Sequence, residues 1–204
     1  MPIVAPATAS LRACLRLVAF ALLLAGAGGA AGQAPARASA AQVKAAFVLN
    51  FVRYTTWPAD AFATAEAPYR LCALGSDDSV AVLERIAAVA HVGARRLAVS
   101  RVSRRGLGSD AAEALAQHLR ACHVLYVAAD ARGEANGMLT LLANADVLTV
   151  GDVDGFAAAG GMLELVPDGT RIAFRANRGA IAGTRLEVSA KVLKLARLVA
   201  DGPA

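Results

Sequence analysis

Few residues in this chain have the types and spacing that chemistry needs. Cys72 and Cys122 are the clearest: two thiols 50 residues apart can pair, hold a soft metal ion or react. They form no C-x-x-C redox motif. A zinc site would need two more ligands from His91, His118 and His123, none of which stands at a recognised ligand spacing. In an oxidising compartment the expectation is a structural Cys72–Cys122 disulfide. Closing a loop of 50 residues stabilises a fold by roughly 4 kcal/mol on a chain-entropy treatment.

Other constellations are weaker. Gly75-Ser76-Asp77-Asp78 has the composition of a strand-to-helix turn, the place where α/β sheets hold ligands. It is not G-x-G-x-x-G, it carries no Walker lysine, and its two acids would repel a phosphate. Gly75, Ser76 and Asp77 therefore read first as a capping turn and second as a small-ligand turn. Asp152-Val153-Asp154-Gly155 opens like a calcium loop, but no glutamate closes it. Ser76, Ser79, Ser103 and Ser109 lie outside any G-x-S-x-G. His123 begins an apolar strand, where a structural imidazole fits better than a general base. No nucleophile–base pair, catalytic carboxylate pair or metal cluster emerges, so the expectation is a non-enzyme with no cofactor and no metal.

The N-terminus speaks to compartment. Arg12 and Arg16 precede an apolar run over 17–27, small residues follow, and Ala38-Ser39-Ala40 is an A-x-A cleavage signal. The run falls short of the ~20 apolar residues of a spanning helix. Cys14 is followed by Leu15 and makes no lipoprotein attachment site. Residues 1–40 are thus expected to be a cleaved signal peptide, and 41–204 a single exported domain with room for one large core. The whole-chain charge of +5 falls to +2 when Arg12, Arg16 and Arg37 leave with no acid among them. That is too weak a charge to argue for nucleic acid. Arg95, Arg96, Arg101, Arg104 and Arg105 form a denser basic cluster, read as a solvated strand and loop surface with anion or lipid-headgroup contact as its functional alternative.

These residues need a frame to position them. Residues 42–56 carry Val43, Ala46, Phe47, Asn50, Phe51 and Tyr54 at helical spacing, and Trp57-Pro58 ends that helix. Residues 69–74 read as a buried strand, 79–89 as a helix with N-cap chemistry before it, and 96–102 as a strand with one wet face. A helix over 109–120, capped by Ser109 or Asp110, a strand over 122–128, a helix over 133–143 and a strand over 147–151 follow. This alternation predicts an α/β sheet with parallel pairing. Residues 162–166 and 171–176 flank Pro167-Asp168-Gly169-Thr170 as a β-hairpin. Residues 189–199 read as an amphipathic helix with Val192, Leu195, Ala196 and Val199 inward. The expected fold is a three-layer α/β sandwich with a mixed, mostly parallel sheet and a C-terminal β-hairpin plus helix. The disulfide would join neighbouring strands near the switch point.

Several of these segments, in order, resemble the YfiR family of periplasmic regulators, the DUF4154 domain. They are KAAFVLNFVRYTTWP at 44–58, LCALG at 71–75, CHVLYV at 122–127, VLTVGDVDGFAAAGGMLEL at 147–165, RIAFRAN at 171–177 and LEVSAKVLKLARLV at 186–199. Each piece alone is weakly specific; the ordered set spans most of the chain after residue 40. The resemblance implies a periplasmic, non-enzymatic α/β regulator. Such a protein binds and represses an inner-membrane signalling protein, most often a diguanylate cyclase, and so lowers c-di-GMP output. It also implies an OmpA-like outer-membrane lipoprotein that relieves the repression by sequestering the repressor, and self-association into a homodimer is among the expected assemblies. Of the family's disulfides, only Cys72 and Cys122 have counterparts here, which argues against redox control through a second pair.

The surface expected to dock on the partner is supplied by Phe47, Phe51, Tyr54 and Trp57 of the N-terminal helix region and by the C-terminal helix. The alternative function is a periplasmic small-molecule sensor for a nucleotide or an amino acid, built from the turn at 75–78 and the arginine cluster.

Overall fold

The computed structural model describes residues 38–102 and 111–199. Residues 1–37 of the expected signal peptide, with Cys14, the serines Ser103 and Ser109, Asp110, and Arg104 and Arg105 of the basic cluster lie outside the described residues.

Helix α1 (Ala40–Arg53) opens with a capping box: the Ser39 hydroxyl accepts from the Gln42 amide while the Gln42 side chain accepts from the Ser39 amide. Its inward stripe is Ala45, Val48, Leu49 and Val52 with Phe51. That stripe is rotated from the expected one: Ala46, Asn50 and Tyr54 point to solvent, and Val43 and Phe47 are half-buried. The helix is apolar around most of its circumference, so periodicity could not choose its buried face; the Val/Leu arc wins by packing on the sheet.

After α1, strand β1 (Thr55–Thr56) and a 3-10 turn over Ala59–Ala61 lead to strand β2 (Tyr69–Leu74). Then come α2 (Asp78–Ala87), β3 (His91–Val92), β4 (Arg95–Val102), α3 (Ala111–Arg120) and β5 (Val124–Val127). A 3-10 turn (Ala129–Glu134) runs into α4 (Ala135–Leu141), followed by β6 (Leu148–Gly151), β7 (Leu163–Asp168) and β8 (Arg171–Asn177). The chain closes with α5 (Arg178–Ala182), β9 (Glu187–Val188), α6 (Ala190–Leu193) and β10 (Arg197–Val199).

Eight strands form one sheet in the order β10-β8-β7-β6-β5-β2-β4-β3, and β1 and β9 form a separate antiparallel pair. Strands β4, β2, β5, β6 and β7 are parallel; β8 returns antiparallel to β7 through the expected hairpin, with a turn at Gly169-Thr170. The chain leaves β2 toward β4, then crosses back to β5 on the other side of β2. This is the topology of a doubly wound sheet, with its switch point between β2 and β5.

Alternate side chains of the central strands feed two cores. Leu71, Ala73, Val124 and Tyr126 pack with α1 and α2; Cys72, Leu74, Leu125 and Val127 pack with α3 and α4. The α/β class, the mixed, mostly parallel sheet and the C-terminal hairpin and helix are therefore those expected.

The helix expected over 189–199 is shorter, a single turn at α6. Residues 197–199 are instead strand β10, parallel to β8, with Arg197 opposite Arg175. Leu195 and Leu198, one assigned inward by helical spacing, are 78% and 54% exposed. An unpaired strand edge at β8 offers this backbone a row of hydrogen-bonding groups that a longer helix would forgo.

The loop at 152–162 is the most constrained connection. Phe156, 1% exposed, lies in a slot between Gly151 and Gly161, where an added Cβ would stand 2.2 Å from the ring in either case. Glu164 has no exposed surface, and its carboxylate accepts from the Gly155 and Ala157 amides and from Arg175 Nη1 at 3.2, 2.9 and 2.8 Å. Asn177 donates to the Ala157 carbonyl and the Met162 amide donates to Thr149 Oγ1. Asp152 pairs with Lys44 at 2.5 Å and Asp154 with Arg175 at 3.6 Å, so both acids of the calcium-like stretch face cations of the chain itself.

This slot makes a direct prediction. Gly151→Ala should lower stability by about 1–3 kcal/mol in chemical denaturation, the range for overpacking a filled core. Gly133→Ala, where an added Cβ meets nothing within 4 Å, should change it by less than about 0.5 kcal/mol. Equal effects at the two sites would mean that Phe156 is not held in a tight slot.

Candidate functional site

Three places in the fold bring chemistry-bearing side chains together. The first is the disulfide. Cys72 and Cys122 are bonded, with Cα atoms 6.0 Å apart, on the face of the sheet that packs against α3 and α4. Cys72 is an inward residue of β2, and Cys122 closes the turn after α3, its amide donating to the Leu119 carbonyl. Both are buried, at 1% and 5% exposure. Exposed His118 lies over them: its Nε2 is 3.9 Å from Cys72 Sγ, and Ser100 Oγ is 3.6 Å from the same sulfur. Spacing alone had set His118 aside. The signal that would have found it is His118-x-x-x-Cys122, one helical turn at the end of α3.

The second is the carboxyl edge of the sheet at the switch point. Asp77 is the N-cap of α2, accepting from the Ser79 and Val80 amides as a capping turn should. Ser79 Oγ also donates to Asp77, which leaves it to accept from the Tyr126 hydroxyl at 2.8 Å. Burial pushes the Tyr126 phenol up, so it stays protonated. Gly75 has φ +111°, and a Cβ there would stand 2.3 Å from Asp130 Oδ1; the glycine lets the segment after β5 close on the turn. Asp130 then accepts from both the amide and the hydroxyl of Ser76 at 2.9 Å. A cavity of about 300 Å3 opens here, lined by Gly75, Ser76, Arg101, Asp130 and Glu134 among others. The amide donor that an anion would use at this turn is already engaged by a carboxylate, and the acids around it repel a second negative charge.

The third is an aromatic cluster at the amino edge. His123 stacks on Phe62 with centroids 4.3 Å apart and meets Trp57 and Tyr69 edge-on. Its Nδ1 accepts from the Arg70 amide at 2.9 Å, so its Nε2 carries the hydrogen and donates to the Ala61 carbonyl at 3.0 Å. Arg95 lies over the Phe62 ring, 3.8 Å from its centroid, and donates to the Thr64 and Ala67 carbonyls. Arg101 is forked onto Glu84. The described part of the basic cluster is therefore partly spent inside the chain.

The docking aromatics need correction. Phe51 and Trp57 are core residues, at 2% and 6% exposure. Phe51 packs edge-on against Phe174, and Trp57 Nε1 donates to the His123 carbonyl. Phe47 is half-buried against the same Phe174. Only Tyr54, at 45%, presents itself to solvent. Large aromatics at helical spacing met the core first because burying them is worth more than any other choice the helix had. The large apolar side chains exposed among the described residues, Tyr54, Val89, Leu195 and Leu198, were missed in part because an exposed leucine has no sequence signature.

A larger cavity, about 530 Å3, lies between α4, α5 and the 152–162 loop, lined by neutral groups such as Asn136, Thr140, Asn144 and Thr184. No helix among the described residues is long and apolar enough to cross a membrane.

Comparison with known proteins follows this geometry. The family described as YfiR/HmsC-like matches residues 41–197. The fold is similar to the crystal structure of a conserved domain protein from Vibrio cholerae O1 biovar El Tor, with a TM-score of 0.53 and 12% identity. That match covers 78% of this chain, which spans 60% of the length of the Vibrio protein. No curated protein matches the chain.

His123 sets a pH dependence. Burial pushes its pKa down, the positive Arg70 and Arg95 push the same way, and the Ala61 hydrogen bond opposes them. A folded value below the unfolded ~6.5 means that stability is intact above about pH 6.5 and is lost as pH falls through the folded value. Melting temperature should therefore drop between pH 7.5 and 5, and His123→Gln should flatten that drop. An unchanged slope in the variant would assign the acid sensitivity elsewhere.

Proposed function

The chain belongs to the YfiR/HmsC-like family, and from that premise we propose that it is a periplasmic, non-enzymatic regulator of c-di-GMP signalling. It binds the periplasmic part of an inner-membrane diguanylate cyclase, or a related sensor protein, and holds its output down. The observation that carries this reading is the family match over 41–197, nearly the whole span after the leader-like segment. Residues 1–40 are then a signal peptide removed on export, a cut that takes Ser39 and its capping box away and leaves the first helix to start inside 41–204, the working domain. A disulfide across the sheet suits an oxidising compartment. An OmpA-like outer-membrane lipoprotein is the expected antagonist, competing for the same regulator.

The docking surface moves from the buried aromatics to the C-terminal edge. Strand β10 is the outermost strand at its end of the sheet, and Leu195 and Leu198 stand exposed on and before it. The Ser189 amide donates to the Tyr54 carbonyl at 2.8 Å, so this segment starts beside exposed Tyr54. An edge strand with exposed apolar side chains supplies both the backbone groups and the apolar area that a protein partner needs.

A second reading, a periplasmic sensor of a nucleotide or an amino acid, draws on the cavity of about 530 Å3, whose amides and hydroxyls offer hydrogen bonds to the uncharged part of such a ligand and leave its charged groups to the open mouth. A melting temperature that stays flat across a panel of nucleotides and amino acids would remove it.

Deleting the gene should raise cellular c-di-GMP, and restoring it should reverse the rise. The Leu195→Asp/Leu198→Asp double variant, exported and folded as the wild type, should not restore repression and should co-purify with its membrane partner about thirtyfold less, the scale of one interface hot spot. Unchanged c-di-GMP on deletion would sink the regulatory reading. Full repression by the double variant would sink only the docking surface.

A further inference from the structure

Two sulfurs and one imidazole nitrogen, from Cys72, Cys122 and His118, lie within 4.8 Å of one another. We propose that, once the disulfide is opened, these three side chains form a three-coordinate site for Cu(I).

The donor set selects the ion. Two thiolates and a neutral imidazole are soft to borderline ligands, and no carboxylate lies in the group to favour a hard cation. A tetrahedral zinc site would want a fourth ligand, and the hydroxyl nearest the sulfurs, Ser100 Oγ at 3.6 Å from Cys72 Sγ, is a weak one. A trigonal ion is complete with three.

The frame is already close to the bound arrangement. Metal–sulfur bonds of about 2.3 Å and metal–nitrogen bonds of about 2.0 Å place the donors of one ion roughly 3.5–4 Å apart. His118 Nε2 stands 3.9 Å from Cys72 Sγ in the oxidised protein. With Cα atoms 6.0 Å apart, the sulfurs need only side-chain rotation to part once their bond is broken. His118 sits in the last turn of α3, Cys122 in the short turn between α3 and β5 with its amide bonded to the Leu119 carbonyl, and Cys72 on β2 at the centre of the sheet, so the frame holds all three in place. Leu115 and Leu119 of α3 belong to the same apolar cluster as the cysteines, and exposed His118 is the side from which an ion enters.

The chemistry balances in two steps. A dithiol reductant supplies two electrons: its own sulfurs join, the Cys72–Cys122 bond breaks, and each cysteine sulfur takes a proton. Cu(I) then displaces both thiol protons to solvent while His118 Nε2 donates its lone pair, and no electron moves in this second step.

The test uses the exported protein, reduced and freed of reductant under anaerobic conditions, titrated against a chromophoric Cu(I)–bicinchoninate complex. Reduced wild type should withdraw one equivalent of copper while keeping its cooperative thermal unfolding, and the oxidised protein should withdraw none. His118→Ala should weaken binding by about tenfold or more, since losing a ligand costs at least what losing an outer-shell partner does. His91→Ala, an exposed histidine on β3, should leave it unchanged. Cys72→Ser should abolish it. The proposal is overturned if the reduced, folded protein withdraws no copper, if reduction unfolds the chain, or if His118→Ala binds as tightly as wild type.

Discussion

The parallel pairing of β2 with β5 is the contact on which the rest of this structure rests. Leu71, Cys72, Ala73 and Leu74 lie beside Val124, Leu125, Tyr126 and Val127, and every one of these side chains is buried. Because alternate residues of a strand face opposite ways, the pair divides the interior into two cores and is indispensable to both. Helices α1 and α2 cover one face, α3 and α4 the other. Parallel strands buried on both sides read as unbroken apolar runs, and LCAL at 71–74 and VLYV at 124–127 are such runs. The disulfide, the acid-lined crevice and the histidine–aromatic cluster are all found at or beside this pair. Its position explains why chemistry-bearing residues scattered through the sequence gather in the middle of the fold.

The far half of the sheet depends on a different device, a carboxylate with no access to water. Burying Glu164 is costly unless its charge is compensated. Two loop amides and the Arg175 guanidinium supply that compensation; the amides tie the 152–162 loop to the hairpin, and Arg175 reaches the same loop through its ion pair with Asp154. Phe156 fills the space beneath, in a slot that only glycine at 151 and 161 leaves open. The Gly-Phe-Ala and Gly-Gly stretch that first marked the family resemblance thus has a mechanical explanation: it forms a loop whose backbone is bonded inward.

How far the chain could be read in advance depended on whether local pattern and tertiary context agreed. Strand 69–74 was legible to the residue, since the short apolar run Leu71-Cys72-Ala73-Leu74 directly before Gly-Ser-Asp-Asp admits few other states. The Asp77 cap and the hairpin were legible for the same reason, as their chemistry is local. The tail was not. Leu, Ala and Val over 192–199 suit a helix face and a strand equally, and the choice was made by the open edge of β8, which no neighbour in sequence reveals. The buried arc of α1 was ambiguous because the helix is apolar almost all round. The site was less legible than the fold. His118 came to the disulfide through one helical turn plus a sheet crossing, and exposure of leucines is a property of the assembled surface only.

The Ser76–Asp130 contact has a consequence for how information can reach this molecule. In doubly wound sheets the crevice at the switch point is the customary doorway for small anions. Here the chain's own carboxylate stands in that doorway, held by the amide and hydroxyl of Ser76. The protein is, at that edge, its own permanent occupant. A scaffold closed this way trades responsiveness at that crevice for stiffness, and whatever reaches the molecule must do so somewhere else.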